Sequence, residues 1–351
     1  MNELTNKAWP VVRLLLVPYL AFLFLLFFQI DYEIDAPGGL TEVSRTIEIA
    51  YNEDKVIEGT ISTTFIMAIP RPTFFMFIAG YFSPYATITK MSATSTSYTN
   101  NELREISFLD KATSVDASII VAYQAASAVN DEIEIGYEIK TLVFGKATYL
   151  SHYDEIDFGD EFVAVAGDGD QVVTAIADIA AATVLATAYD FTLRNADGET
   201  YTLSLAKDAE TGKFGLTFRT YHLVDRSVTY PLYENPQSNI GGPSGGLLQT
   251  LYVYNILIAE DITRGLRIAG TGTIDYDGSV GYIGGVKQKI MTAYFAGVDV
   301  FFIPYLDAGY SADNYMEAVR VCEAAGIDYE GWLVGVDSFQ DVVDWLAARG
   351  D

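Results

Sequence analysis

Residues Asn239–Tyr254 read NIGGPSGGLLQTLYVY. Gly241, Gly242, Gly245 and Gly246 fall within six residues, and between the pairs stand Pro243 and one hydroxyl, Ser244. Glycine loses more conformational freedom on ordering than any other residue, so such a run marks backbone that must turn sharply or close on a ligand. The stretch that follows reads as a helix, with Leu247, Leu248, Leu251, Tyr254 and Ile258 on one face. No charged residue occurs from Asn235 to Ala259. Free amides at a helix start favour developing negative charge, so Ser244 stands beside a candidate oxyanion hole, as acyl transfer requires. Three other readings fit the same residues. The loop could cradle a phosphate, form a tight connection, or cap the helix through Ser244.

Serine needs a base, and the chain holds only two histidines, His152 and His222. A second stretch, GTGTIDYDGSVGYIGGVKQKIMTAYFAG (Gly270–Gly297), reads as strand, turn at Asp277-Gly278, strand, Gly284-Gly285, and a helix opening around Lys287. It has no Asp or Glu from Gly278 to Val298, in a chain with 47 acidic residues. A lysine serves as general base only when desolvation and distance from carboxylates bring its pKa toward neutrality. The dipole at a helix start pushes in the same direction. Lys287 is the candidate base, with Lys289 two residues on.

The composition narrows the function classes. Half of the 351 residues are hydrophobic and 19 % are charged, which indicates folded domains rather than disorder. A net charge of -26 excludes nucleic acid as a partner, because nothing would drive counterion release. One cysteine, Cys322, allows no internal disulfide and reads as a packed thiol on a helix. The two histidines would need carboxylate help to hold zinc, so no metal or other cofactor is expected. ETGKFG (Glu210–Gly215) has a Gly-Lys pair, but Phe follows it and the strand-to-helix context is missing, so no ATP site is expected.

The first thirty residues differ from the rest. Leu14–Phe28 is an unbroken apolar run, extending to Val11 if Arg13 snorkels. Lys7 and Arg13 precede it, Asp31, Glu33 and Asp35 follow it, and the next basic residue is Arg45. The positive-inside rule then leaves the N-terminus in the cytoplasm and the remainder outside, anchored at the cell membrane by a single pass. A cleaved signal peptide is the competing reading, but no small-x-small site follows the run. A second apolar patch, Phe74–Phe82, is bracketed by prolines and reads as a core strand or surface patch. Residues from about 40 to 128 alternate short β-like runs with an Ala-rich helix near Asp116–Asn130.

Residues 132–218 read as a compact α+β unit with a helix in VTAIADIAAATVLAT (Val173–Thr187). A hairpin follows, around Asn195-Ala196-Asp197-Gly198. The order resembles a PDZ domain, and FGDEFVAV (Phe158–Val165) resembles that family's Gly-Asp-x-Ile-x-x-Val strand. The resemblance places a carboxylate-binding loop near Phe144–Lys146. The alternative is an ordinary α+β domain without a peptide groove.

Taken together, GGPSGG and AGTGTIDYDGSVGYIGGVKQK resemble the catalytic domain of Lon-type serine peptidases, over residues from Tyr221 to the C-terminus. The resemblance implies a Ser-Lys dyad of Ser244 and Lys287, 43 residues apart, with the position after Gly-Gly-Val selecting Lys287 over Lys289. It implies an oxyanion site around Pro243 to Gly245. It also matches Thr271 to a threonine that orients the neutral amine, although a plain strand threonine is an equal reading. Gly245 departs from the family's usual Ala and Tyr282 from its usual Pro. The layout resembles membrane-anchored PDZ–Lon proteins of Gram-positive bacteria. The expected fold is α+β: a membrane anchor (1–30), a mixed α/β segment (31–131), a PDZ-like domain (132–218) and a Lon-type α/β proteolytic domain (219–351). The expected function is an ATP-independent serine endopeptidase that cuts polypeptides outside the cell, with ring-like homo-oligomers suggested by relatives. The alternative is an inert, membrane-tethered peptide-binding scaffold.

Overall fold

Val300–Pro304 is apolar and buried at every position, as a strand covered on both faces must be. It belongs to the sheet that organises the molecule. A computed structural model describes residues 2–236, 239–306 and 313–349, without the side chains of 2–8, 10–12 and 170. In chain order the first half contributes α1 (Asn2–Phe27), β1 (Tyr32–Glu42), β2 (Thr60–Pro70), α2 (Phe74–Tyr81), β3 (Thr87–Lys90) and α3 (Asn100–Ser127). The strands β4 (Tyr137–Lys146), β5 (Glu161–Ala166), β6 (Ala188–Arg194), β7 (Thr200–Ala206) and β8 (Leu216–Val224) follow. The last third contributes α4 (Gly246–Leu257), β9 (Arg267–Gly270), α5 (Val286–Ala296), β10 (Val300–Pro304), α6 (Asn314–Ala325), β11 (Leu333–Val336) and α7 (Phe339–Ala347).

The main sheet has the order β11-β10-β9-β2-β1-β3. It is parallel from β11 through β2 and antiparallel from β2 to β3. Two stretches that are set apart in sequence, 31–131 and 219–351, are therefore one sheet. The seam is β2 beside β9, with Thr60 opposite Arg267 and Thr63 opposite Gly270. α3 begins at a capping box, in which Thr99 Oγ1 accepts from the Glu102 amide and Glu102 accepts from the Thr99 amide. Its buried residues, among them Ile119, Ala122 and Tyr123, line the core shared with α4 and the sheet. It extends well beyond the Ala-rich segment that marks it in the sequence.

Residues 137–224 form a second sheet, ordered β8-β4-β5-β6-β7, over a core that includes Val143, Phe162, Phe191 and Leu205. The expected hairpin is there: β6 pairs with β7 from Ala188↔Ala206 to Arg194↔Thr200, and Gly198 sits at φ +85° in the turn. The helix expected over Val173–Thr187 shrinks to a 3-10 turn and one helical turn, Ile179–Ala182. Asp168 explains part of this, because its carboxylate accepts from the Val184 and Leu185 amides and draws them out of any helical ladder.

Of the two readings of Phe74–Phe82, the surface patch holds and the core strand does not. Phe74–Tyr81 is the surface helix α2, capped by Thr73 and with none of its residues buried. Phe144–Lys146 offers no open loop. It lies in β4, which is paired to β8 along its length and to β5 at Leu142. The Lys146 ammonium donates to the Tyr153 and Ile156 carbonyls, so it is held as a structural group. α1 is 26 residues long. Among the described residues no helix is long and apolar enough to cross a membrane.

Candidate active site

The Gly-Pro-Ser-Gly loop is held from three sides. From α3, Ser114 Oγ donates to the Pro243 carbonyl and Ser118 Oγ to the Gly246 carbonyl, both at 3.0 Å. From the segment after β9, the Gly272 amide and Thr271 Oγ1 donate to the Ser244 carbonyl at 2.8 and 3.0 Å. The Leu247 amide returns a bond to the Gly272 carbonyl. Gly246 is required by close approach, since a Cβ there would lie 2.9 Å from Ile274 Cγ2, whereas one on Gly245 would be a tight contact, 3.1 Å from Thr63 Cγ2. Gly242 stands at φ +84°, which lets the chain turn into the loop. Pro243 has no N–H, so its part is to shape the loop through its carbonyl. The loop's own hydrogen bonds use neither the Ser244 nor the Gly245 amide, and both remain as donors for an oxyanion.

Ser244 lines a cleft of about 660 Å³ with Pro243, Gly284, Lys289 and the β2 residues Phe65–Ala68. β2 pairs with β9 only from Thr60 to Thr63, so the edge it turns toward the cleft is unpaired from Thr64 onward.

The lysine in the cleft is Lys289. It is 2 % exposed, and its Nζ donates to Thr271 Oγ1 at 2.9 Å. Thr271 is fully buried and in turn donates to the Ser244 carbonyl, so one hydroxyl ties the amine to the serine's backbone. Burial pulls the Lys289 pKa down to about 7, against a partial opposing pull from Asp35. Lys287, the expected base, faces elsewhere. Its Nζ points to the Ala86 carbonyl at 3.4 Å, and it lines a separate cleft with Tyr85, Tyr294 and Phe295. Two residues on a helix are about 200° apart, so the two lysines cannot share a side. The correction has a sequence signal. Val286, Ile290 and Ala293 are the buried stripe of α5, and Lys289, not Lys287, falls on that stripe.

The acid-free window also looks different in three dimensions, because β1 brings Asp35 near Lys289. The Asp35 carboxyl is itself raised by burial, with the Glu33 hydrogen bond and Lys289 pulling the other way. Its Oδ1 is buried without a hydrogen-bond partner. Gln288 fastens α5 to the same region by donating to the Asp35 and Tyr85 carbonyls and to Thr87 Oγ1. The histidines lie away from this chemistry: His152 pairs with Glu155, and His222 is stacked between Tyr137 and Tyr276. Cys322 is a buried thiol, pushed up to about 11 by burial.

Residues 203–313 match the Lon protease (S16) C-terminal proteolytic domain, a span that contains Ser244, Thr271 and Lys289. The chain is 33 % identical over 108 residues to the Lon protease of Malacoplasma penetrans, covering 31 % of this chain and 13 % of that protein. It is 33 % identical over 107 residues to the Lon protease of Ureaplasma parvum serovar 3, covering 30 % and 13 %. With the Lon protease of Mesomycoplasma hyopneumoniae it shares 29 % over 148 residues, covering 42 % and 14 %. The matched part is thus a small fraction of each of these relatives' length. What the match covers is similar to a proteolytic domain, and the Ser244, Thr271 and Lys289 site lies inside it.

Proposed function

We propose that this chain is a serine endopeptidase in which Lys289 is the general base for Ser244. The observation that carries the proposal is the buried Lys289 amine, held near neutrality and hydrogen-bonded through Thr271 to the loop that presents Ser244. Neutral Lys289 takes the Ser244 Oγ proton as Oγ bonds to the scissile carbonyl carbon. The Ser244 and Gly245 amides receive the oxyanion. When the tetrahedral carbon collapses, the C–N bond breaks and the Lys289 ammonium returns its proton to the leaving amine. Water then attacks the ester as Lys289 takes its proton, and when the Oγ–C bond breaks that proton passes to Ser244 Oγ, releasing the acid and restoring the neutral amine. The free edge of β2 beside the cleft suits an extended substrate that pairs its main chain there. Labelling with a serine-reactive fluorophosphonate, read by intact mass, tests the assignment. One adduct on the unmodified chain and none on Ser244→Ala is expected, and an adduct that persists on Ser244→Ala would refute it.

Two coarser features complete the proposal. α1 would anchor the chain in the membrane through its apolar stretch alone, Val11 to Phe27 with Arg13 snorkelling, which spans about 25 Å against a hydrocarbon core of roughly 30 Å. Basic residues before Leu14 and acidic ones after Phe28 would put the catalytic unit outside. Protease added to sealed cells should then remove an epitope near the C-terminus, and survival of that epitope until lysis would reverse the orientation. The second sheet would bind peptide ends in a PDZ-like manner. Its candidate groove lies between the short helix Ile179–Ala182 and β8, which is an edge strand, and is lined by Ile179, Ala180, Phe214, Leu216 and Phe218. Nothing in the proposed chemistry calls for ATP.

A further inference from the structure

The exposed apolar surface of this molecule is concentrated where α1 meets the catalytic unit. Sequence sets the condition: Pro72 to Thr89 contains no charged residue, in a chain of net charge -26. The fold turns this stretch outward. Phe75 is 53 % exposed and Tyr81 73 %, on a helix with no buried residue, and Phe82 at its C-cap is 78 % exposed. Tyr85 and Phe295 extend the patch through an edge-on contact at 5.6 Å, and both are exposed as well. The opposite requirement is also met, because nearby Arg71 is folded back onto the Thr96 and Tyr98 carbonyls and Asn100.

The patch is continuous with α1. The Phe74 amide donates to the Phe28 carbonyl at 2.9 Å and the Ile30 amide to the Pro72 carbonyl at 3.2 Å. Phe24 and Phe74 are in ring contact at 6.3 Å. The start of α2 is therefore fixed to the end of α1. Along α1 from Leu14 to Leu20 every side chain is exposed, so this helix presents apolar groups all round. A helix apolar on every side needs an apolar surrounding, and whatever surrounds its end also reaches α2.

We infer that α2, with Tyr81, Phe82, Tyr85 and Phe295, is an interfacial membrane-docking surface that seats the catalytic unit on the lipid bilayer. The inference rests on the reading of α1 as the membrane anchor. Aromatic rings with one polar tip favour the headgroup level, and a short apolar helix lies in that plane with its face roughly 5–10 Å deep. The geometry sets the height of the active site. Ala68, which lines the Ser244 cleft, is six residues from Phe74, and a chain of that length spans at most about 20 Å. The cleft is thereby held beside the bilayer, within reach of polypeptide segments that emerge from it, and distant soluble chains must come to it.

Site-directed spin labelling of the full chain in phosphatidylcholine vesicles tests this. Labels are placed singly at Phe82→Cys, Leu20→Cys and Val56→Cys. The native Cys322 thiol is fully buried and takes no label, which the unsubstituted protein checks. Phe82 and Val56 are both highly exposed, so neither substitution disturbs a core. Val56 precedes β2, at the strand end away from α2, and reports bulk water. Collision with dissolved oxygen against a water-soluble nickel complex reads depth. The expected result is a Leu20 label in hydrocarbon, a Phe82 label shifted clearly toward oxygen, and a Val56 label in water. A Phe82 label matching Val56 while Leu20 remains in lipid overturns the docking surface and leaves the anchor standing. Leu20 and Phe82 both matching Val56 overturns the two together.

Discussion

At the scale of single residues, the site depends on a charge that the fold makes expensive. Lys289 titrates near 7 in the fold and at 10.5 when unperturbed, so the unfolded chain binds more protons between those values. This depressed pKa costs stability below about 7, where the buried amine must be charged, and the cost fades as pH rises toward 10.5. Lys289→Met should therefore raise the melting temperature at pH 6–7 and lose that advantage near pH 10, while abolishing acylation. Thermal melts across pH check the first part and fluorophosphonate labelling the second. The catalytic rate of the unmodified chain should rise through about pH 7 as neutral amine accumulates. Arginine stays protonated at working pH, so Lys289→Arg should lower kcat by at least about a hundredfold. Lys287→Arg, on the far side of α5, should leave it within about twofold. A peptide-cleavage assay in which Lys287→Arg is the dead variant would return the base to Lys287.

At the scale of elements, α5 places Lys289 only because of how it begins. Gly285 stands at φ +69°, and a Cβ there would lie 2.8 Å from Ile66 Cγ2 on β2. An alanine would carry about 1–2 kcal/mol of left-handed backbone strain and would also push the helix start away from the strand that floors the cleft. Gly285→Ala should lower the melting temperature by several degrees and reduce kcat more than it raises KM. The second sheet calls for a different readout. Ala180 is exposed on the groove beside β8, so Ala180→Asp should leave stability unchanged. It should slow turnover of protein substrates more than that of short peptides. Equal rates on both would make that sheet a purely structural unit.

At the scale of the whole molecule, the matched span 203–313 is not an independent body. β2 lies inside the main sheet, between β9 and β1, and α3 supplies the two serine hydroxyls that hold the Ser244 loop. A chain beginning at residue 132 keeps every residue of the dyad and loses these supports. It should fail to show a cooperative thermal transition or any fluorophosphonate adduct. A folded, labelled product would show that the N-terminal half only extends the sheet.

What the sequence determined by itself is local. The glycines around Ser244, the turn at Asp277-Gly278, the opening of α5 and the acid-free window are properties of neighbours along the chain, where propensity and spacing act directly. The choice between Lys287 and Lys289 was half legible, since the stripe of Val286, Ile290 and Ala293 shows which side of α5 is buried. It does not show what that side faces. Only the tertiary structure decided this, by setting α5 against β1 and β2 so that Lys289 meets Thr271 with almost all of its surface removed from the water that would hold its charge. The same packing brought Asp35 to the lysine from more than 250 residues away and joined β2 to β9 across the inserted sheet. Desolvation comes from the fold as a whole, and the lysine's basicity follows from it.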